Sequence, residues 1–456
     1  MHRLALRVVL VLSVTLPAAA QGLPGSSPGN PFIETSAGRA WQRIAFGAID
    51  CNLATAGTDF CPNDAFSQSG VFVNGTYRDI RFVYAGAAPG GPNSADFLAN
   101  RVITQSQTFP QASTASGFSF TWNGPTPTLD SQMFGPLFGD RGRTNGRNKL
   151  SATLTLQNLK WEKLDGSQIR NDQAGLLWGD DNYADFGNGP AGYVGRCNMN
   201  INSLITSLAL SYGITDRLDI TVSVPLVHTS VEGSNEFLDY VVLPDGQVTI
   251  DPDVTFFFPQ GRFYVKGSST GIGDMMAGFT WAIVKNETAA LGLTGRVNIG
   301  TGSFEDMTGT GETQVSGGLV GSYESGVIAP HFSFAFLGAN DVLFDEARGV
   351  IGVDVRAVPN RLTLSAELLA RRLMDVQGFE ATRVLASVRS PVTGDTFNVS
   401  DFRAVRNDYS LYFVNLGGKV RIAGQLLGTA YLLIPWGNQG LIAQKPSWNV
   451  GMNYAF

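Results

Sequence analysis

The sequence predicts an all-β fold: a transmembrane, antiparallel, up-and-down β-barrel of about twelve strands, preceded by a Gly/Ser/Pro-rich N-terminal segment. Three observations carry that expectation. Side chains alternate with period two along the C-terminal two-thirds, the connections alternate between short and long, and the composition is apolar yet poor in charge. Of 456 residues, 43% are hydrophobic and only 15% charged, against about 25% charge in ordinary soluble proteins. The 54 glycines also exceed the usual share of about 7%. An apolar fraction this high excludes disorder. A net charge of −6 offers no basic face to a nucleic acid, and 3 His with 3 Cys leave little for metal chemistry.

Residues 1–20, MHRLALRVVLVLSVTLPAAA, put Arg3 and Arg7 ahead of an apolar stretch ending in Ala18-Ala19-Ala20. That order is an export signal peptide, cut before Gln21. Beyond it no run of about 18 apolar residues occurs, so no transmembrane helix is expected. Residues 21–147 are rich in Gly, Ser, Pro, Ala and Asn. They read either as a plug in the barrel or as a periplasmic segment. Short strands are expected within Phe72–Phe82 and Phe118–Trp122, with a turn at Asn123-Gly124-Pro125. Cys51 and Cys61 are disulfide candidates in an oxidising compartment, and Cys197 is left over.

Residues 148–456 form the barrel. In the final segment, Trp448, Val450, Met452, Tyr454 and Phe456 fall on one face, and Asn449, Gly451, Asn453 and Ala455 on the other. Successive strand side chains point to opposite faces, so a greasy face meets lipid and a polar one lines the lumen. The same alternation recurs in strands starting near Asn148, Asn202, Arg217, Gly271, Ala289, Glu312, Val327, Arg348, Arg361, Asp408, Gln425 and Pro446. Short turns are expected at 213–216, 285–288, 324–326, 359–360 and 424. Long loops are expected at 165–197, 230–270, 301–311, 338–347, 374–407 and 437–445. Short periplasmic turns and long external loops are the outer-membrane arrangement. A soluble β-sandwich would have to pair the greasy faces in a dry core and show like turns at both ends.

The inward polar set is Asp219, Asp274, Arg296, Asp354, Arg356, Glu367, Arg371, Lys419 and Arg421. Both signs are interspersed, which suits either a salt-bridged filling or a polar conduit. Gly267-Ser268-Ser269-Thr270-Gly271 matches G-x-S-x-G, but it is expected in a loop rather than the strand–turn–helix a hydrolase requires. His228 and Ser230 share the outward face, an arrangement that resembles the outer-membrane phospholipase, another twelve-stranded barrel. The polar orienting residue of that enzyme's pattern has no match on the next strand. Asp180, Asp181, Asn182 and Asp185 are rich in oxygen but lack the spacing of a calcium loop. No catalytic residue, metal site or cofactor is expected.

Gly271-Ile272-Gly273-Asp274 opens a strand; the next strand ends Asn298-Ile299-Gly300-Thr301-Gly302, and Thr308-Gly309-Thr310-Gly311 follows. This block resembles the outer-membrane barrel family of the "MetA-pathway of phenol degradation" type, within the FadL-like hydrocarbon transporter group. The turn Tyr212–Leu218 and the run Phe134–Arg141 are similar to segments of the same proteins. The resemblance covers about residues 134–456. It departs where Ile299-Gly300 stand in place of the usual Pro before the third loop's Thr-Gly-Ser. It implies passive uptake of small hydrophobic compounds without catalytic residues.

Aromatic loop residues give that reading independent footing: Trp178, Tyr183, Phe186, Tyr193, Phe237, Tyr240, Phe256, Phe257, Phe258, Phe263 and Tyr264 could line a ligand site. They could equally pack the loops together or seat them in lipopolysaccharide. The expected role is passive uptake of small hydrophobic or aromatic solutes across the outer membrane of a Gram-negative bacterium. Expected partners are outer-membrane lipid, lipopolysaccharide and, through C-terminal Phe456, the barrel-assembly machinery. The alternatives are a structural barrel without transport, and an outer-membrane lipase.

Overall fold

The computed structural model describes residues 31–34, 36–37, 40, 102, 104–109, 120–122 and 127–129. From 133 onward it describes all but 165–166, 170–175, 184–190, 243–247, 250–260, 305, 340–342, 390–395 and 443–445. The export signal, Cys51, Cys61, the strand expected within Phe72–Phe82, Phe186 and Phe256–Phe258 lie outside the described residues.

Thirteen strands build the wall: β1 (Leu150–Trp161), β2 (Ala191–Thr215), β3 (Leu218–Val242), β4 (Gly261–Ile272), β5 (Met275–Lys285), β6 (Ala289–Ile299) and β7 (Gln314–Tyr323), then β8 (Ile328–Gly338), β9 (Asp345–Val358), β10 (Leu362–Arg389), β11 (Thr396–Ala423), β12 (Leu426–Trp436) and β13 (Ser447–Ala455). All but β4 form a closed antiparallel ring of twelve, in which β3 pairs β5 and β13 pairs β1 from Asn449↔Gln157 to Ala455↔Ser151. Closure matters because an unpaired edge in hydrocarbon would cost several kcal/mol for each unsatisfied backbone group. Ahead of the ring, Phe120–Trp122 pairs Pro127–Leu129 as a small hairpin. No helix among the described residues is long and apolar enough to cross a membrane.

The barrel is apolar outside and polar within. Ile351 is 61% exposed, Val315 58% and Met452 56%, whereas Asn415 is fully buried and Thr363 and Asn449 are 1% exposed. In water that distribution is upside down; in lipid it leaves apolar surface against hydrocarbon and polar groups bonded inside. β5, β6, β7, β8 and β12 have 10 or 11 residues, the length a tilted spanning strand needs.

Much of three expected long loops, where described, is strand instead. β2 begins at Ala191, β3 runs to Val242, β10 continues to Arg389 and β11 starts at Thr396, so two hairpins rise well past the lipid-facing belt. Main-chain pairing there continues from Val376↔Asn407 to Arg389↔Thr396, with register shifts between Ala381 and Arg383 and between Val384 and Ala386. The strand expected from Gly271 starts ten residues earlier and is split. β4 pairs the upper part of β3, ending Ile272↔Leu226, and β5 pairs the lower part from Met276↔Ser223. The G-x-S-x-G run therefore lies in strand β4, not in a loop. The far edge of β5 carries β6, but that of β4 carries Phe32–Glu34 in parallel.

Candidate functional site

The lumen is organised around residues 133–147. A chain segment crossing a barrel cannot complete its own backbone ladder, so its polar groups need side-chain partners. The Glu367 carboxylate on β10 accepts the N–H groups of Leu137 at 2.7 Å and of Phe138 at 3.0 and 3.2 Å. Asn415 donates to the same carboxylate at 2.7 Å, and His331 Nε2 lies 3.2 Å from it. The other ring nitrogen of His331 is 3.5 Å from Asp354, which Ser365 reaches at 2.5 Å. Further along β11 from Asn415, Lys419 Nζ donates to the carbonyls of Phe134 and Pro136 at 3.2 and 2.6 Å. Arg421 stands 5.8 Å over the Phe134 ring, and Arg356 is half-buried on β9.

Toward the short-turn end, Asp219 accepts the N–H of Asn145 at 2.7 Å. Arg143 donates to the carbonyl of Glu287 at 2.7 Å and pairs with Glu324 at 3.4 Å. Lys285 donates to Thr144 Oγ1 at 3.1 Å. The backbone packs so closely that a Cβ on Gly213 would stand 1.9 Å from the carbonyl oxygen of Gly146. Toward the loop end, Arg371 grips Glu346 with two bonds of 2.8 Å, and Arg348 donates to that carboxylate at 2.8 Å. Arg371 also donates to the Thr108 carbonyl at 3.1 Å and lies 5.7 Å over Phe109. Phe109 meets Trp161 and Phe413 edge-on at 5.4 and 5.5 Å.

Asp274 occupies the break between β4 and β5. Its carboxylate accepts the N–H groups of Gly302, Thr310 and Gly311 at 3.0, 2.7 and 3.3 Å, and the Thr310 hydroxyl at 2.6 Å. These bonds draw the connection after β6 inward, where Met307 is fully buried and its carbonyl accepts Thr229 Oγ1 at 2.8 Å.

Beneath that connection lies a cavity of about 130 Å³, walled by β5–β9 and bounded by Phe109 on the loop side and Phe138 on the turn side. Met276, Leu337 and Val350 supply apolar surface; Asn298, Gln314, Ser333 and Arg296 supply polar groups. A second space of about 30 Å³ follows along β5, with Asp219, Thr221, Ser211 and Asn145 in its lining. Asp140 and Arg296 border both spaces and are bonded to each other. The rim is low here: β6 and β7 end at Ile299 and Gln314, while the flanking hairpins rise far beyond that level.

All nine residues of the inward polar set stand on lumen-side positions. The structure gathers Asp354, Glu367 and Lys419 around one segment, joins Arg371 to Glu346, and sets Asp274 apart as the holder of a connection. Trp178, Tyr183, Tyr193 and Phe263 lie in strands whose side chains there are outside the described ones, as are those of Phe237, Tyr240 and Cys197; Tyr264 is half-buried on β4. Asp140, Glu346, His331 and Phe109 escaped the sequence reading. Strand parity could have marked His331 and Glu346, but nothing local marks Asp140 or Phe109. Outside, His228 meets Thr270 Oγ1 on β4 at 2.8 Å rather than Ser230. Among the described residues no group of metal ligands occurs.

No family model matches the chain, and no curated protein matches it. Among solved structures, it is similar to the COG4313 outer membrane channel from Pseudomonas putida F1, with 11% identity and a TM-score of 0.42 over 69% of this chain and 97% of that one. A Pseudomonas aeruginosa FadL homologue gives 10% identity and a TM-score of 0.30 over 68% and 89%. The P. putida toluene transporter TodX gives 11% and 0.30 over 77% and 96%.

Proposed function

We propose that the chain is a passive channel for small hydrophobic or aromatic solutes in the outer membrane of a Gram-negative bacterium. The observation that carries this reading is the cavity of about 130 Å³ inside an apolar-belted barrel, reached beneath the low rim and bounded by Phe109 and Phe138. Its size suits a single ring. Its lining is mostly polar, with Phe109, Phe138, Met276, Leu337 and Val350 as the apolar surface a ring would meet. Solutes reach it between the two tall hairpins and leave along β5 toward the short turns. Lipid and lipopolysaccharide surround the belt, and Phe456, 62% exposed at the end of β13, is the contact for the assembly machinery.

The clamp on residues 133–147 favours a second reading, a structural barrel whose lumen is permanently filled. Flux separates the two. Phosphatidylcholine vesicles holding the purified barrel should take up a single-ring aromatic such as benzyl alcohol faster than empty vesicles, and Ala335→Trp in the cavity wall should slow them. Equal rates with and without the barrel would leave the structural reading.

A further inference from the structure

The ion pairs of the lumen differ sharply in accessibility. Arg371 and Glu346 are closed off, their side chains 1% and 2% exposed. Arg296 and Asp140 retain 29% and 14% exposure, and what they face is the pair of cavities on either side of them. Among the described residues Arg296 is bonded through one guanidinium nitrogen to one carboxylate oxygen. A guanidinium has five donors in a planar fork suited to bidentate carboxylate recognition, so this one has capacity toward the larger cavity. Asp140 belongs to the lumen segment and Arg296 to β6, so their contact bridges filling and wall at the neck between the two spaces.

From this geometry we infer that Arg296 is a recognition site for small aromatic carboxylates, and that the arriving carboxylate replaces that of Asp140 and opens the neck. The inference rests on the channel reading and deepens it by naming a solute class. The exchange is carboxylate for carboxylate: Arg296 keeps an anionic partner throughout, so no buried charge is stranded during passage. The solute's ring lies between Phe109 and Phe138, and Asp140, once released, is hydrated in the second space beside Asn145 and Thr221. Neutral aromatics cross more slowly because nothing in them displaces Asp140.

The test compares benzoate with its neutral analogue benzamide in phosphatidylcholine vesicles, after subtracting the rate of empty vesicles. The intact barrel should favour benzoate, with saturable flux. Arg296→Gln removes the recognition group and the latch together, so the benzoate-to-benzamide ratio should fall about tenfold, the worth of one charge-assisted bond, while benzamide flux rises. Asp140→Asn weakens only the latch: benzamide flux should rise and the benzoate preference should persist. Should Arg296→Gln fail to fold, Asp140→Asn and calorimetric titration of the intact barrel with benzoate decide the matter. Benzamide crossing without any preference for benzoate, an Arg296→Gln barrel that keeps the wild-type ratio, or an Asp140→Asn barrel whose benzamide flux does not rise would overturn this inference and leave the channel standing. Vesicles that pass neither compound would overturn both.

Discussion

Glu367 is only 3% exposed, although desolvating a carboxylate costs several kcal/mol. Four donors converge on it, and two of them, the N–H groups of Leu137 and Phe138, belong to a segment with no ladder of its own. The residue thus connects filling to wall, and Lys419 repeats the connection with the opposite polarity through two carbonyls. Removing one partner of a buried charged network costs about 3–5 kcal/mol. Glu367→Ala should therefore lower stability by about that amount in a denaturant titration, and protease should cut within 133–147 while the ring stays folded. Glu367→Gln, which keeps the shape and two acceptor lone pairs, should be milder; equal resistance of all three proteins would show that the segment is held elsewhere. The inward direction of Glu367 and Lys419 was legible, because parity assigns every residue of an alternating strand to a face. Their partners were not, since period two says nothing about what fills a lumen. Asp140 and Phe109 were missed for that reason: both come from irregular chain whose place only the barrel defines.

At the level of elements, β4 and β5 show where sequence pattern stops determining structure. The alternation of Met275–Lys285 announced a spanning strand, and Gly271-Ile272-Gly273-Asp274 stood out as a block. That the block is a break, with β3 changing partner across it, was hidden because the exposed positions Lys266, Ser268 and Thr270 of the preceding strand are polar and no apolar face marks it. The tall parts of β10 and β11 read as loop for the same physical reason. Gly273 is required at the break: a Cβ there would stand 2.9 Å from Val227 and 3.0 Å from the carbonyl of Thr308. Asp274 then gathers three N–H groups and a hydroxyl from the connection after β6. Asp274→Ala should leave those donors without their acceptor and speed amide exchange at Gly302, Thr310 and Gly311 by an order of magnitude or more, each bond being worth about 1.5–3 kcal/mol to a charged group. Exchange deep in β8 and β9 should not change. A connection that exchanges as slowly as before would mean that glycine packing, not Asp274, holds it.

For the whole molecule, the arrangement of polarity decides the solvent. A soluble protein and a lipid-facing barrel can both expose Phe334, here 53% exposed near the middle of β8, but they answer a charge at that position with opposite signs. In water an exposed Phe→Arg change falls within about ±0.5 kcal/mol and aids solubility. At the midplane of a bilayer an arginine costs about 2–4 kcal/mol, because hydrocarbon offers no compensation for its hydration. Phe334→Arg should thus destabilise the barrel by about 2–4 kcal/mol in reversible unfolding from lipid vesicles. Lys266→Ala is the control. Its side chain is 52% exposed and 3.6 Å from Glu232, on the part of the wall above the belt, where an exposed pair contributes at most about 1 kcal/mol. The difference between the two sites measures the depth of the hydrocarbon directly. If Phe334→Arg cost no more than Lys266→Ala, the apolar belt would not be in lipid, and the channel reading would lose the membrane it requires.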